Sequence, residues 1–194
     1  MRTRLAAAAA ATLIACARPG TIPRPACAGA PADDVGALVT AGYHDLRAGD
    51  AASALASLER ARELRPDLPQ PYQGLGLLAD REGRPDKAEE AYRAALKLDP
   101  DFVAARIQLA QHLLDRGALD EAREQALRLT QSAPGFVEGW IVACESLLRV
   151  GRVDEARTVL TEAHRLYGSL PALARLDELM HRAASESAEA DRAR

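Results

Sequence analysis

A glycine recurs along this chain at a constant interval of 34 residues, and an alanine follows each copy five residues later. The glycines are Gly49, Gly83, Gly117 and Gly151, and the alanines are Ala54, Ala88, Ala122 and Ala156. A fixed period over four copies predicts an array of one supersecondary unit, in which each unit packs on its neighbours. Such an array offers a surface rather than a set of reactive groups, so the pattern predicts binding without naming the ligand.

Each unit is predicted to be a hairpin of two helices. In the second copy, apolar residues stand at helical spacing before Gly83, resume on one stripe after it, and end at Pro100. The two stripes are Tyr72, Leu75, Leu78 and Ala79, then Ala88, Ala91, Tyr92, Ala95, Leu96 and Leu98. Small residues at Gly76, Ala88 and Ala95 permit a close approach of the two helices. No segment alternates with a period of two, so the sequence predicts an all-α solenoid without strands.

Four hairpins account for residues 34–170, and a terminal segment follows them. The predicted hairpins occupy about 35–68, 69–102, 103–136 and 137–170. Residues 171–183 are predicted to form a capping helix, because their apolar side chains lie on one stripe with polar residues opposite. That stripe contains Leu173, Leu176, Leu179 and Met180. Residues 184–194 are polar without such a stripe and are predicted to be a frayed or disordered tail.

The second copy resembles the tetratricopeptide repeat. The matching residues are the run Tyr72-Gln-Gly-Leu75-Gly76, followed by Ala88, Tyr92, Ala95 and Pro100 within the 34-residue period. The resemblance covers about residues 35–170 and implies a right-handed α-solenoid of four hairpins. Arg106 stands where the family usually has a bulky apolar or aromatic residue, and Gly168 stands where it usually has proline. Asp45 stands at a normally apolar position and fits the fold if its side of the first hairpin faces solvent.

The resemblance also implies a binding groove, because the first helix of each hairpin lines the concave face in this family. The nominated groove residues are Val39, Tyr43, Gln73, Leu77, Arg81, Ile107, Gln111, Leu114, Ile141, Glu145 and Arg149, with Arg47 beside them. Their mixture of apolar and amide side chains suits a peptide or a helix of a partner protein. The lysine and asparagine clamp that chaperone-binding members use for a C-terminal carboxylate is missing from this set.

The first fifteen residues are predicted to be a signal peptide. Two arginines precede about eleven apolar residues, a stretch too short to span a bilayer. The following run Leu13-Ile14-Ala15-Cys16 is similar to the bacterial lipobox, which implies cleavage before Cys16 and lipidation of that cysteine with a diacylglyceryl thioether and an N-acyl group. Two alternatives stay open: cleavage after Ala28, which gives a secreted module without an anchor, and an uncut cytosolic protein.

Residues 16–33 are predicted to be a lipidated cysteine and a spacer. Prolines at positions 19, 23, 25 and 31 favour an extended chain, with a reach on the order of 50 Å. Ala17 resembles the sorting position of outer-membrane lipoproteins, so we expect an envelope protein at the outer membrane that faces the periplasm. Cys144 is interpreted as a small buried apolar residue, and a disulfide between Cys27 and Cys144 is the alternative.

No motif of the chain predicts an enzyme. The four histidines lack metal-ligand spacing, and we interpret His112 and Asp115, which share a helix face, as a solvated pair. Neither a glycine-rich phosphate loop nor a serine elbow occurs in the sequence. We therefore expect no catalytic residue, metal, cofactor or small-molecule substrate.

Charge argues against nucleic acid as a partner. Loss of Arg2 and Arg4 with the leader takes the formal net charge from −3 to −5. The sequence thus predicts a non-enzymatic, lipid-anchored scaffold of the bacterial cell envelope that binds an unknown protein. The alternatives are a pilotin or assembly chaperone lipoprotein for a secretin or pilus system, and an unanchored secreted module.

Overall fold

A computed structural model describes residues 34–192, with side chains described through residue 185. This part of the chain forms nine α-helices and contains no strand, so the predicted all-α solenoid is confirmed. The helices are α1 (Val35–Ala48), α2 (Ala51–Leu64), α3 (Pro69–Arg81), α4 (Pro85–Leu98), α5 (Val103–Asp115), α6 (Leu119–Ser132), α7 (Val137–Arg149), α8 (Val153–Tyr167) and α9 (Pro171–Arg192). The predicted signal peptide, the lipidation site at Cys16 and the spacer to residue 33 lie outside the described residues.

The periodic glycines form the turn inside each hairpin. Their φ angles are 79° at Gly49, 67° at Gly83, 79° at Gly117 and 77° at Gly151, in the left-handed region that side chains with a Cβ rarely adopt. A Cβ at any of these four positions would meet no atom within 4 Å. The backbone conformation, and not crowding, is therefore the reason for glycine at this point of the repeat.

Helical glycines serve a different purpose, which is close packing within and between hairpins. A Cβ added to Gly76 would lie 2.4 Å from the Cε1 atom of Tyr92. Gly42 and Gly74 both face the fully buried side chain of Leu58, and a Cβ there would lie 2.6 Å and 2.8 Å from its atoms. The predicted role of small residues in bringing the helices together is confirmed at Gly76.

A hydrogen bond repeats at the junctions between hairpins. Tyr72 Oη donates to the carbonyl oxygen of Pro66 at 3.0 Å, and Trp140 Nε1 donates to that of Pro134 at 3.1 Å. Arg106 occupies the equivalent position, and its Nη2 donates a hydrogen bond to the carbonyl oxygen of Pro100. The departure from the aromatic pattern therefore keeps the repeated hydrogen bond while it changes the side chain.

Arg106 is accommodated although it is only 9% exposed. Its Nη1 donates to Gln125 Oε1 at 3.0 Å, and burial lowers the pKa of its guanidinium below the usual value. Asp45 is likewise only 4% exposed, with its Oδ1 3.4 Å from His44 Nδ1. The condition that this side of the first hairpin faces solvent is therefore not met, and the buried carboxylate lies beside His44 of the same helix.

The odd-numbered helices form one side of the array. Close backbone contacts join α1 to α3, α3 to α5, α5 to α7 and α7 to α9, whereas none joins α2 to α4, α4 to α6 or α6 to α8 within the described residues. The odd-numbered helices are thus drawn together and the even-numbered ones are spread apart. We call the surface of the odd-numbered helices the inner face and that of the even-numbered helices the outer face.

α9 takes the place that the first helix of a fifth hairpin would occupy, since it packs on both α7 and α8. It buries Leu173, Leu176 and Met180 in the last apolar cluster of the array. The helix continues to Arg192, so the predicted disorder from residue 184 is wrong for 184–192. The polar tail contains good helix formers without glycine or proline, and it prolongs a helix that packing has already nucleated.

No described helix is long and apolar enough to span a lipid bilayer.

Candidate functional site

The inner face carries an open hollow between α1 and α3, which we call the first hollow. Its volume is about 450 Å³. It is lined by Val39, Thr40, Tyr43, Leu46, Arg47, Leu77 and Arg81. The structure therefore brings four of the nominated groove residues together at one end of the array, along with Arg47.

Tyr43 stands at the centre of the first hollow in a fixed orientation. Its hydroxyl donates to the carbonyl oxygen of Gln70 at 2.9 Å and contacts Oε1 of Gln73. Burial raises the pKa of the Tyr43 hydroxyl, so the side chain is neutral at physiological pH. Gln73 itself is only 6% exposed. This nominated residue orients Tyr43 from below and offers little surface to a ligand.

Two arginines of the inner face bridge neighbouring hairpins in the same way. Arg81 donates to the carbonyl oxygen of Leu46, and Arg149 Nη1 donates to that of Leu114 at 2.8 Å. Each accepting carbonyl lies in the last turn of the preceding first helix and also accepts from the backbone N–H of the turn glycine, Gly49 for Leu46 and Gly117 for Leu114, both at 3.1 Å. This hydrogen bond uses one N–H of each guanidinium, and the other N–H groups stay available on the inner face.

A second hollow, of about 280 Å³, lies between α7 and α9 at the other end of the inner face. It is lined by Glu145, Leu148, Arg149, Arg175, Leu179, Arg182 and Ala183. Glu145 and Arg149 are among the predicted groove residues, whereas the contribution of α9, predicted only as a cap, is new in the structure. The repeat contained the missing signal, because Arg175 and Leu179 stand one period after Ile141 and Glu145.

The middle of the inner face is shallower. Ile107 and Ile141 are partly buried and pack against the apolar clusters beneath them. Gln111 is exposed, and its Nε2 donates to Asp115 Oδ1 at 3.0 Å. Leu114 is fully buried, so this nominated groove residue belongs to the core. Its helix, α5, packs on α3, α4, α6 and α7, and the Leu114 side chain belongs to the central apolar cluster.

His112 has a structural position that the sequence did not indicate. It is 6% exposed, and its Nδ1 lies 2.8 Å from Asp80 Oδ1, whereas Asp115 pairs with Gln111. The interpretation of His112 and Asp115 as a solvated pair is therefore wrong. Tyr92 Oη donates to the other carboxylate oxygen of Asp80 at 2.7 Å, so one carboxylate joins α3, α4 and α5.

Cys144 is a free, fully buried cysteine, as its interpretation as a small apolar residue required. Burial raises the pKa of its thiol to about 12, which leaves it protonated and unreactive at neutral pH. Cys27 lies outside the described residues. Among the side chains that the structure describes, no three His, Cys, Asp or Glu residues are grouped as a metal ion requires.

Comparisons with known proteins agree with this architecture. A family model for the tetratricopeptide repeat matches residues 79–140. Cellulose synthase 2 operon protein C of Komagataeibacter xylinus is 38% identical over 96 residues, which make up 48% of this chain and 7% of that protein. The chain thus spans only a small part of this relative.

Two solved structures share the fold. That of Pseudomonas aeruginosa pilF has a TM-score of 0.71 at 21% identity and covers 78% of this chain and 69% of its own. That of YrrB, described as a TPR protein with an unusual peptide-binding site, has a TM-score of 0.64 at 20% identity and covers 75% of each chain. At these identities the likeness shows the fold alone.

Proposed function

Since this chain is a tetratricopeptide repeat protein, we propose that it is a non-catalytic scaffold whose inner face binds a peptide or a helix of a partner protein. The observation that carries the proposal is the first hollow, where Val39, Tyr43 and Leu77 form an apolar floor beside Arg47 and Arg81. Apolar anchors with polar groups around them are the usual seat of binding energy at protein interfaces. The peptide-binding site named for the similar YrrB structure is a parallel for this use of the fold.

The shape of the inner face fits a segment better than a globular surface. The row of first helices forms a continuous strip with a hollow at each end and exposed Gln111 between them. A helix or an extended peptide laid along such a strip contacts every hairpin at once.

A photo-crosslinking experiment in intact cells tests this proposal. A photoreactive amino acid replaces Thr40 or Gln111 on the inner face, or Glu124 or Thr161 on the outer face, all of which are exposed. We expect one discrete crosslinked protein from the inner positions and none from the outer ones. Crosslinks from the outer face alone would remove the basis of the proposal. Leu77 is left unchanged, because it also packs against the core and its replacement would disturb folding.

We also propose that the protein is held in the bacterial envelope by a lipid on Cys16. The proposal rests on the Leu13-Ile14-Ala15-Cys16 run at the end of the apolar leader. Cys16→Ser is expected to abolish incorporation of a labelled fatty acid and to move the protein from the membrane to the soluble fraction. The intact mass of the mature protein is the decisive measurement. An unmodified N-terminus at Gly29, after cleavage at Ala28, contradicts the anchor and leaves the scaffold proposal untouched.

The crosslinking experiment also separates a scaffold from a pilotin or assembly chaperone. A scaffold stays crosslinked to its partner at steady state. An assembly factor gives a crosslink only while its client is being synthesised and inserted, so blocking new client synthesis abolishes that crosslink.

A further inference from the structure

The arginines of the outer face and the turns are neutralised within the chain. Each of them lies in an ion pair with an aspartate or a glutamate, at separations that include 2.7 Å for Arg128 and Glu124 and 2.9 Å for Arg157 and Asp154. Among the described side chains they are Arg60, Arg62, Arg65, Arg84, Arg93, Arg116, Arg123, Arg128, Arg152, Arg157 and Arg165. Their charges are largely cancelled locally and contribute little field at a distance.

The arginines of the inner face are different. None of them forms an ion pair with a described side chain, although all are exposed. They are Arg47, Arg81, Arg149, Arg175 and Arg182. Arg81 and Arg149 use one N–H each for a backbone carbonyl, which leaves their charge uncompensated. Arg106 is the one other arginine among the described side chains without a carboxylate partner. It is almost fully buried and donates a hydrogen bond to Gln125.

These charges are sorted to the two ends of the inner face. Arg47 and Arg81 stand in the first hollow, whose lining contains no acidic residue. The second hollow has three arginines against the single carboxylate of Glu145. Between the hollows, the repeat position of Arg81 and Arg149 is occupied by Asp115. The inner face is therefore positive at both ends and slightly negative in the middle, with apolar side chains at each positive end.

We propose that the partner segment is acidic and amphipathic, with its carboxylates clustered toward its two ends and apolar side chains next to them. This inference rests on the proposed role of the inner face in binding. Each guanidinium has N–H groups available for a carboxylate. Arginine binds a carboxylate most strongly through two parallel N–H···O hydrogen bonds. The apolar floors of the hollows take the adjoining apolar side chains, and the central Asp115 disfavours a segment whose acidic residues lie in the middle.

The length of the segment follows from helix packing. Three steps between neighbouring first helices separate the two hollows, and packed helices lie about 8–10 Å apart. The two anchoring points are thus about 25–30 Å apart, which corresponds to about 16–20 residues of helix. A helical segment much shorter than this reaches only one of the two hollows.

Binding of synthetic peptides to the full-length protein tests the charge pattern. The probes are fluorescein-labelled peptides of about 20 residues made of Glu, Leu and Ala, which span both hollows as helices. One has its glutamates at both ends, a second has the same composition with glutamates in the middle, and a third has lysine in place of every end glutamate. We expect the acidic-ended peptide to bind at least about tenfold more tightly than either of the others in fluorescence anisotropy, and its affinity to fall at high salt.

A matched pair of variants locates the effect. The inner variant combines Arg47→Gln, Arg175→Gln and Arg182→Gln, three arginines whose side chains have no partner among the described residues, so the fold is expected to be kept. The outer variant combines Arg128→Gln, Arg157→Gln and Arg165→Gln and removes the same formal charge from α6 and α8. The inner variant is expected to bind the acidic-ended peptide about tenfold or more weakly than the parent protein does. The outer variant is expected to lose less than about twofold in affinity. Circular dichroism and the unfolding midpoint verify that both variants are folded.

Three results overturn the inference: no binding of the acidic-ended peptide, equal binding of the acidic-centred or lysine peptide, or equal effects of the two variants. These failures are distinct from a failure of the proposed function. A partner that crosslinks to the inner face through a basic or neutral segment retains the scaffold and refutes the acidic ligand. Absence of inner-face crosslinks refutes the scaffold itself.

Discussion

The hydroxyl of Tyr92 on α4 donates a hydrogen bond of 2.7 Å to Oδ2 of Asp80 on α3. The Tyr92 side chain is fully buried, and burial together with this carboxylate raises the pKa of its hydroxyl, which stays protonated as the donor. Because Asp80 Oδ1 also faces His112 Nδ1 at 2.8 Å, the same carboxylate links the second hairpin to the third. Stacking in the centre of the array thus combines apolar packing with a polar junction.

Tyr92→Phe is expected to lower the free energy of unfolding by about 1–2 kcal/mol, because it removes a donor to a charged acceptor without changing the ring packing. Urea denaturation followed by circular dichroism measures the change. Tyr72→Phe is the control, since its hydroxyl donates to the carbonyl oxygen of Pro66 near the surface and is expected to cost about 0.5 kcal/mol or less. An equal loss in both variants argues against a special role for the Asp80 junction.

The apolar half of this arrangement could be predicted, and the polar half could not. Period and helical spacing placed Tyr92 on the buried stripe of its helix and Gly76 opposite a close contact, as the structure confirms. Asp80 and His112 are separated by 32 residues, and their pairing depends on the relative rotation of α3 and α5. Helical spacing within one segment predicts faces, but it does not predict which polar groups of two segments meet.

Ala88→Trp is expected to lower the free energy of unfolding by about 1–3 kcal/mol or more. Ala88 is fully buried between the helices of the second hairpin, so a large side chain forces the helix axes apart. Lys87→Trp is the matched control on the next residue, which is exposed, and it is expected to change stability by no more than about 0.5 kcal/mol. Thermal and urea unfolding measure both variants. Equal tolerance at the two positions is incompatible with the packed hairpin.

Part of the lining of the first hollow could be predicted from the sequence, and its use as a binding site stays a prediction. The family resemblance indicates Val39, Tyr43, Leu77 and Arg81, which lie together in the first hollow, but it does not indicate Thr40 or Leu46 of the same lining. Leu114 is fully buried instead, because the family pattern does not indicate how deeply a helix packed on several neighbours is buried. The sequence does not indicate that Arg175 and Arg182 line the second hollow, because the polar face of α9 is typical of a capping helix, and in the structure that face continues the inner face.

The ion pair between His164 on α8 and Asp177 on α9 predicts that stability depends on pH. His164 Nε2 lies 2.9 Å from Asp177 Oδ1, and its Nδ1 donates to the carbonyl oxygen of Gly168 at 3.1 Å. The hydrogen bond to Asp177, and next that to Gly168, raise the pKa of His164 above its usual value. A pKa raised in the folded state means that the contribution is fully present below the unfolded pKa of about 6.5 and is lost as the pH rises through the higher folded value.

Asp177→Asn is expected to reduce the free energy of unfolding at acidic pH and to have a smaller effect above the folded pKa of His164. The measurement is the difference in unfolding free energy between the parent protein and Asp177→Asn, taken from acidic pH to above the folded pKa of His164. The contributions of the other histidines cancel in this difference. Both side chains are partly exposed, at 33% for His164 and 43% for Asp177, so solvent screening reduces the size of the effect. A difference independent of pH shows that Asp177 acts through packing alone.

Arg149 and Arg47 occupy the same position of the repeat and are expected to differ in their contribution to stability. Arg149 donates to the carbonyl oxygen of Leu114 in the preceding hairpin at 2.8 Å, whereas the side chain of Arg47 has no partner among the described residues. Arg149→Gln is expected to lower the free energy of unfolding by about 0.5–1.5 kcal/mol through loss of this inter-hairpin bond. Arg47→Gln is expected to stay within about 0.5 kcal/mol of the parent protein. Urea midpoints with an unchanged denaturant slope measure both, and equal stability of the two variants shows that the bond to Leu114 contributes nothing to the stacking of the third and fourth hairpins.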